Sequence, residues 1–370
     1  MEQSGSAKNF NAVVADTVDG EFIARHSDRL LVTGSNGFIG TRVVESLLKY
    51  GFDNLRCFVR PSGKLDDLQK ILHQYSATEK VEIVRGDLLS RGDCREAARD
   101  ASVIIHLAAG FDKSFAGAFM NSVLATRNLI EAFLEFGQPK RFLSVSSFAV
   151  YSNLEMNRGA VLDENAPIEN APQERYDAYG FGKLKQEELV REYGRTRDLP
   201  YVIVRPGAVF GPGKPELSGR VGIDTFGFFL HLGGSNELPL TFVDNCADAI
   251  VLAALRPGVN GETFNVVDDE RPTSQEFFSA VKASRKFFSV GLPYPMTYLG
   301  CMLWEKYSKR SQGQLPPVFN RRRCSAEWKG NRFSNRKLHE RLGWRPRVNM
   351  KDAIASFLAD SHPPVNSNSD

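Results

Sequence analysis

An α/β fold, with a doubly wound parallel sheet and a smaller C-terminal substrate-binding region, is predicted by three features of the sequence. Short apolar runs alternate with amphipathic stretches through the first half of the chain. A glycine-rich turn joins the first such run to the first helical pattern. After Gly211 the alternation stops. Strands alternating with helices imply βαβ units and a parallel sheet covered on both faces.

The elements follow in order. "RLLVTG" (29–34) is a strand ending in a glycine turn, and "FIGTRVVESLLKYG" has helical periodicity with a glycine stop at Gly51. "LRCFVR", "VEIVRGD", "SVIIHLAA", "KRFLSVSS" and "YVIVRPG" read as further strands. Helices are predicted between them at "KLDDLQKILHQY", near 92–99, over 115–136 and over 179–193. "FGPGKPELSGRVG" is loop-like, and "LPLTFVDN" and "GETFNVV" read as short strands returning to the first domain. The expected organisation is therefore an extension over 1–28, mobile or loosely docked, and a nucleotide-binding domain over 29–211 with strands near 240–267. Residues 212–239 and 268–362 form the substrate-binding region, and 363–370 a disordered tail.

Composition narrows the function. The apolar fraction of 42% and charged fraction of 25% are those of a globular chain that can bury a large core. A net charge of +3 without a long Lys/Arg stripe argues against nucleic acid as a partner. The densest basic run, Arg321–Arg323, reads first as a solvated loop, with contact to an anionic ligand or a membrane surface as the second reading. Five cysteines stand singly, with no CxxC pair, and suit reduced thiols in a cytoplasmic setting. The six histidines lack metal-ligand spacing, so no metal is expected. "FFSVGLPYPMTYLGCMLW" (287–304) carries no charge but contains Pro293 and Pro295. A buried or pocket-lining element is the favoured reading. Peripheral membrane contact is the second, and a membrane span the weakest.

"TGSNGFIG" sets Gly34, Gly37 and Gly40, with Phe38 and Ile39, between a strand and a helix. Glycine there lets the backbone approach a pyrophosphate, whose charge falls on the helix N-terminus, the signature of a Rossmann-type dinucleotide fold. At the end of the second strand "FVRPSGK" offers Arg60, Ser62 and Lys64 and no acid. A carboxylate there would bind a ribose 2′-hydroxyl, whereas these groups suit a 2′-phosphate. NADP(H) is favoured; NAD(H) stays open if Arg60 only stacks on adenine. In "RGDLL", Asp87 with Leu88 could border the adenine, or Asp87 could cap the next helix. In "YDAYGFGK" (176–183) only Tyr179 has a lysine four residues on, Lys183, which places both on one helix face.

At this point the chain resembles the extended short-chain dehydrogenases/reductases. The resemblance rests on "TGSNGFIG", "GDL", "HLAA", the serine before "AVY", "YGFGK" and "RPGAVFGPG", with "LGWRPRV" as a closing motif. It implies an enzyme with Tyr179 as general acid/base, Lys183 as its modulator and Ser147, four before Tyr151, as the partner of the substrate oxygen. Ala108 of "HLAA" and Pro206 would border the cofactor. Asn121 or Asn128 would be a structural or relay asparagine, and Tyr176 a pocket or packing residue. A phenol titrates near pH ~10, and an ammonium ~4 Å away at a dielectric of ~20 offers about 4 kcal/mol. Lys183 is therefore expected to lower the Tyr179 pKa. Homodimers of relatives form through the helices at 115–136 and 179–193.

"RPGAVFGPG" has Gly207 where sugar-nucleotide enzymes of this group usually carry asparagine, and "SNELPLTFVDN" lacks their arginine. The pattern is closer to 3β-hydroxysteroid dehydrogenases, sterol decarboxylating dehydrogenases and dihydroflavonol-type reductases. That branch implies alcohol/ketone chemistry on a hydrophobic or polycyclic small molecule. A nucleotide-sugar epimerase or dehydratase is the alternative, and a non-catalytic dinucleotide-binding regulator a minor one.

Overall fold

The computed structural model describes residues 21–110, 114–225, 227–312 and 314–360. In it β1 (Arg29–Thr33), β2 (Leu55–Val59), β3 (Glu82–Arg85), β4 (Ala101–His106), β5 (Arg141–Val145), β6 (Tyr201–Pro206) and, much later in the chain, Thr263–Val266 form one sheet. Its order is β3-β2-β1-β4-β5-β6 followed by the 263–266 strand, and every pairing is parallel. The expected Rossmann-type sheet is present. β2, β4 and β5 are buried along their whole length, which is why they read as continuous apolar runs.

Successive side chains of a strand face opposite sides, and the two faces are separate cores. Leu30, Val32, Val103 and Leu143 pack with Val43 and Leu47 of α1 (Phe38–Lys49). Leu31, Ile104 and Phe142 pack with Leu129 and Phe133 of the helix Ala125–Phe136. The strand order reverses between β1 and β4, and the crevice beyond the strand ends there is where ligands bind in such sheets. The helix predicted over 115–136 is interrupted by a π-helical turn, Phe119–Leu124, that faces this crevice.

The C-terminal region has its own core, in which the rings of Phe210, Phe242, Phe277 and Phe357 meet edge-on or stacked. "LPLTFVDN" divides differently from the expectation. Leu240–Phe242 pairs with Ala208–Phe210 rather than with the large sheet, and Val243 already starts a helix that runs to Leu255. This helix buries almost every residue, because it is covered by α1 on one side and by the sheet on the other.

Three other expectations change. Residues 1–20 lie outside the described residues, as does the tail 363–370, but 21–28 are packed rather than loose. The Ile23 amide donates to the Leu255 carbonyl at 2.8 Å, and Phe22 stands edge-on to Tyr50. Arg321–Arg323 is the first turn of a helix, Arg321–Trp328, and not a solvated loop. Arg321 forks onto Glu305, and Arg322 bonds Glu169 at 2.9 Å and Glu174 at 3.1 Å. Finally, 287–304 is not a buried element. It forms a short strand, Ser289–Gly291, and most of a helix, Tyr294–Arg310, with many apolar side chains exposed. Pro293 and Pro295 stand at the helix entry, where no intrahelical donor is lost. No helix among the described residues is long and apolar enough to cross a membrane.

Candidate active site

Two adjoining cavities open beyond the strand ends and share Gly34, Gly37, Leu107 and Ala109 in their walls. Gly34 has φ +69°, and a Cβ on it would stand 3.1 Å from the Ala108 amide nitrogen. A Cβ on Gly40 would fall 2.0 Å from the Gly34 carbonyl oxygen, so helix and turn meet this closely only with glycine. Gly37 caps α1 without a side-chain bond, which leaves the helix's first amides directed at the cleft. Such a cradle fits a pyrophosphate.

The smaller cavity, about 310 Å³, is walled by Arg60, Ser62, Asp87, Leu88, Ala108 and Asn121, among others. It suits the adenosine half of a dinucleotide. Lys64 is absent from this wall, and its carbonyl instead accepts from Asn36 Nδ2 at 2.9 Å. Arg85 shapes the loop that presents Arg60, donating to the Pro61 and Gly63 carbonyls at 2.6 and 3.1 Å. Asp87 does not cap the next helix. Its Oδ1 accepts from the Leu89 amide, and Ser90 is the cap. The two asparagines separate: Asn121 borders the cavity, while Asn128 is buried and donates to the Leu88 and Leu89 carbonyls.

The larger cavity, about 600 Å³, brings Ser147, Tyr179, Lys183 and Pro206 together with Phe38, Ile39 and Gly40. Tyr179 and Lys183 lie on the helix Ala178–Thr196 (hereafter α6), which Asp177 caps by accepting from the Gly180 amide at 2.9 Å. The Ser147 hydroxyl and the Tyr179 phenol stand in the same wall. Burial pushes the phenol up to about 12, the nearby Ser147 opposes this, and Asp177 adds to it. The expected lowering by Lys183 is not found. The Lys183 ammonium points instead to the Val145 carbonyl (2.6 Å) and Gln186 Oε1 (3.1 Å). Burial pulls Lys183 down to about 8, opposed by the charge of Glu187. Tyr176 has φ +56°, packs edge-on to Phe115 and takes no part in the cavity wall.

Sequence reasoning missed what holds α6 in place. Arg205 of β6 forks onto Glu187 at 2.8 and 2.7 Å, both side chains are buried, and Arg205 also donates to the Tyr151 hydroxyl. Burial alone would raise the Glu187 pKa, but Arg205 outweighs it and holds the carboxyl below its usual range. On the other side Gln186 donates to Thr126 Oγ1, which is bonded to His106, which is bonded to Thr33. Burial pushes His106 down to about 3, so it stays neutral. Lys214, Leu217 and Phe277 also line the cleft, and no pattern in the sequence distinguishes them.

The comparisons agree with this fold. Residues 30–266 match the NAD dependent epimerase/dehydratase family, and the chain belongs to it. It is similar to the sterol-4-alpha-carboxylate 3-dehydrogenase, decarboxylating, of Mus musculus, at 24% identity over 348 residues, covering 90% of each chain. It is also similar to an Escherichia coli O157:H7 enzyme, N-acetyl-alpha-D-glucosaminyl-diphospho-ditrans,octacis-undecaprenol 4-epimerase. Identity is 26%, covering 76% of this chain and 81% of the relative. Among solved structures, UDP-glucuronic acid 4-epimerase from Bacillus cereus in complex with UDP-glucuronic acid and NAD matches with a TM-score of 0.67. That match is 20% identical and covers 90% of this chain and 98% of the other. The chain is thus an enzyme of the extended short-chain dehydrogenase/reductase type.

Glu187→Ala would strand the Arg205 guanidinium in the interior. The variant should lose about 3–5 kcal/mol of unfolding free energy in urea titrations. A loss within about 0.5 kcal/mol, typical of surface changes, would show that the pair does not hold the helix.

Proposed function

We propose that the protein is an NADP(H)-dependent oxidoreductase that interconverts a secondary alcohol and a ketone on a hydrophobic or polycyclic small molecule. The observation that carries this reading is the convergence of Ser147, Tyr179 and Lys183 on one cleft walled by Phe210, Leu217, Leu240 and Phe277. Apolar walls with a few convergent polar groups suit an apolar ligand carrying one reacting oxygen. Arg60 and Ser62 on the adenosine side support a 2′-phosphate, hence NADP(H) over NAD(H).

The dinucleotide supplies or accepts the hydride. The protein handles the proton and the oxygen. With its phenol near 12, Tyr179 is protonated throughout neutral pH and is ready to donate to a carbonyl oxygen that gains negative charge. Ser147, in the same wall, orients the same oxygen. Lys183, one turn along the helix in the same wall, would hold the cofactor's nicotinamide ribose through its ammonium.

Three outcomes follow. Tyr179→Phe should lower ketone reduction by about a hundred- to ten-thousand-fold while NADPH still binds by fluorescence titration; unchanged turnover would sink the mechanism. Arg60→Ala should narrow the preference for NADPH over NADH in the same titration, and an unaltered preference would remove the basis for NADP(H). The useful form of Lys183 is the ammonium, which is lost as pH rises through about 8. The reduction rate should therefore fall on that alkaline limb, whereas a profile flat well beyond it would contradict the role given to Lys183.

A further inference from the structure

The helix Tyr294–Arg310 is amphipathic in the wrong sense for a helix that serves only to pack. Thr297, Cys301 and Ser308 are its buried residues, whereas Met296, Leu299, Met302, Leu303 and Tyr307 face outward. Leu299 is 51% and Leu303 56% exposed, and Phe288, just before the strand that leads into the helix, is 70% exposed. Met296, Leu299, Leu303 and Tyr307 recur at three- and four-residue steps and so form one stripe. A soluble surface helix turns such a stripe to the core and its polar residues to water. A contiguous exposed apolar face marks an interaction site.

Charge identifies what covers it. Over residues 282–310 there are six Lys or Arg residues and one acidic residue, Glu305. That local excess is larger than the net +3 of the whole chain. Glu305 is itself engaged by Arg321 and Lys309. Lys306 and Arg310 continue the exposed stripe past Leu303, and Lys282 and Lys286 are exposed ahead of the short strand. Tyr307 sits where the apolar part of the stripe gives way to the basic part, the position aromatic residues with a polar tip take at a membrane–water boundary. A second copy of the chain is a poorer occupant. In a two-fold dimer the same patch meets itself, so the basic excess of 282–310 would face an equal basic excess.

We infer that this helix lies on an anionic lipid surface, with Leu299 and Leu303 inserted and Lys306 and Arg310 on the headgroups. At 17 residues, with a basic last turn, it lies in the interface rather than crossing it. The inference is independent of the chemistry assigned to the cleft, because none of these side chains lines it.

The test is co-sedimentation of the full chain with vesicles of phosphatidylcholine alone or mixed with phosphatidylserine. Sedimentation velocity without lipid accompanies it, and NADPH titration checks that each variant is folded. Binding should favour the phosphatidylserine vesicles by about tenfold and weaken with salt. Leu299→Glu with Leu303→Glu should abolish it, and Lys306→Gln with Arg310→Gln should weaken it by about thirtyfold. NADPH affinity should be the same in all of them. The inference is overturned if the wild-type chain ignores both vesicle types or if the Leu299→Glu/Leu303→Glu variant still sediments with lipid. It is equally overturned if the wild type is a lipid-indifferent dimer that these substitutions convert to monomers.

Discussion

The buried fork between Arg205 and Glu187 is the contact on which the geometry of the helix bearing Tyr179 and Lys183 depends. Both side chains are almost fully out of water, and the fork is completed by the Tyr151 hydroxyl, itself bonded to Asn265. A buried ion pair of this kind adds little net stability over an apolar pair of the same shape, because desolvation offsets the attraction. Its effect here is positional. Tyr179, Lys183 and Glu187 follow at four-residue steps on one face of α6. Fixing Glu187 to β6 therefore fixes the rotation of the helix and aims the other two at the crevice beyond the strand ends.

The electrostatics of the site follow from that placement. Lys183 is buried and would lose its proton more readily still without Glu187 nearby. Its ammonium is held by the carbonyl that ends β5, two residues before Ser147. The hydrogen bonds from Gln186 through Thr126 and His106 to Thr33 tie the same helix turn to the first strand, next to the glycine cradle. One hydrogen-bonded chain thus links the helix that bears Tyr179 to the strand that ends in the glycine turn. Placing a site on strand ends and a braced helix in this way favours precise geometry over adaptability.

The parts of this architecture that were legible in the sequence are those encoded by neighbours along the chain. Gly34, Gly37 and Gly40 could be read because strand, turn and helix are consecutive, and Tyr179 with Lys183 because helical spacing is local. Glu187 and Arg205 could not be paired in advance, since nothing short-range links a residue in α6 to one in the following strand. Lys64 looked equivalent to Arg60 on proximity, but the turn held by Arg85 and Asn36 points only part of that loop at the cavity. The apolar run 287–304 gave the opposite difficulty. Composition reports that residues are apolar, not which side of a helix meets water, and here small and polar residues took the inner side. The lowering of Tyr179 by Lys183 was likewise inferred from spacing, whereas the Val145 carbonyl and Gln186 draw the ammonium to themselves.

The relatives span sterol dehydrogenation and sugar epimerisation on one scaffold, so the fold leaves the substrate open and the cleft must decide. Its walls combine the apolar Phe210, Leu217, Leu240 and Phe277 with the charged Lys214 and Glu216. The most direct test is the net consumption of NADPH, followed by its absorbance alongside product analysis, across polycyclic ketones, sterols and nucleotide sugars. The account predicts one NADPH oxidised for each alcohol formed from a polycyclic ketone. Turnover of a nucleotide sugar with no net change in NADPH, and none of the ketones, would contradict it.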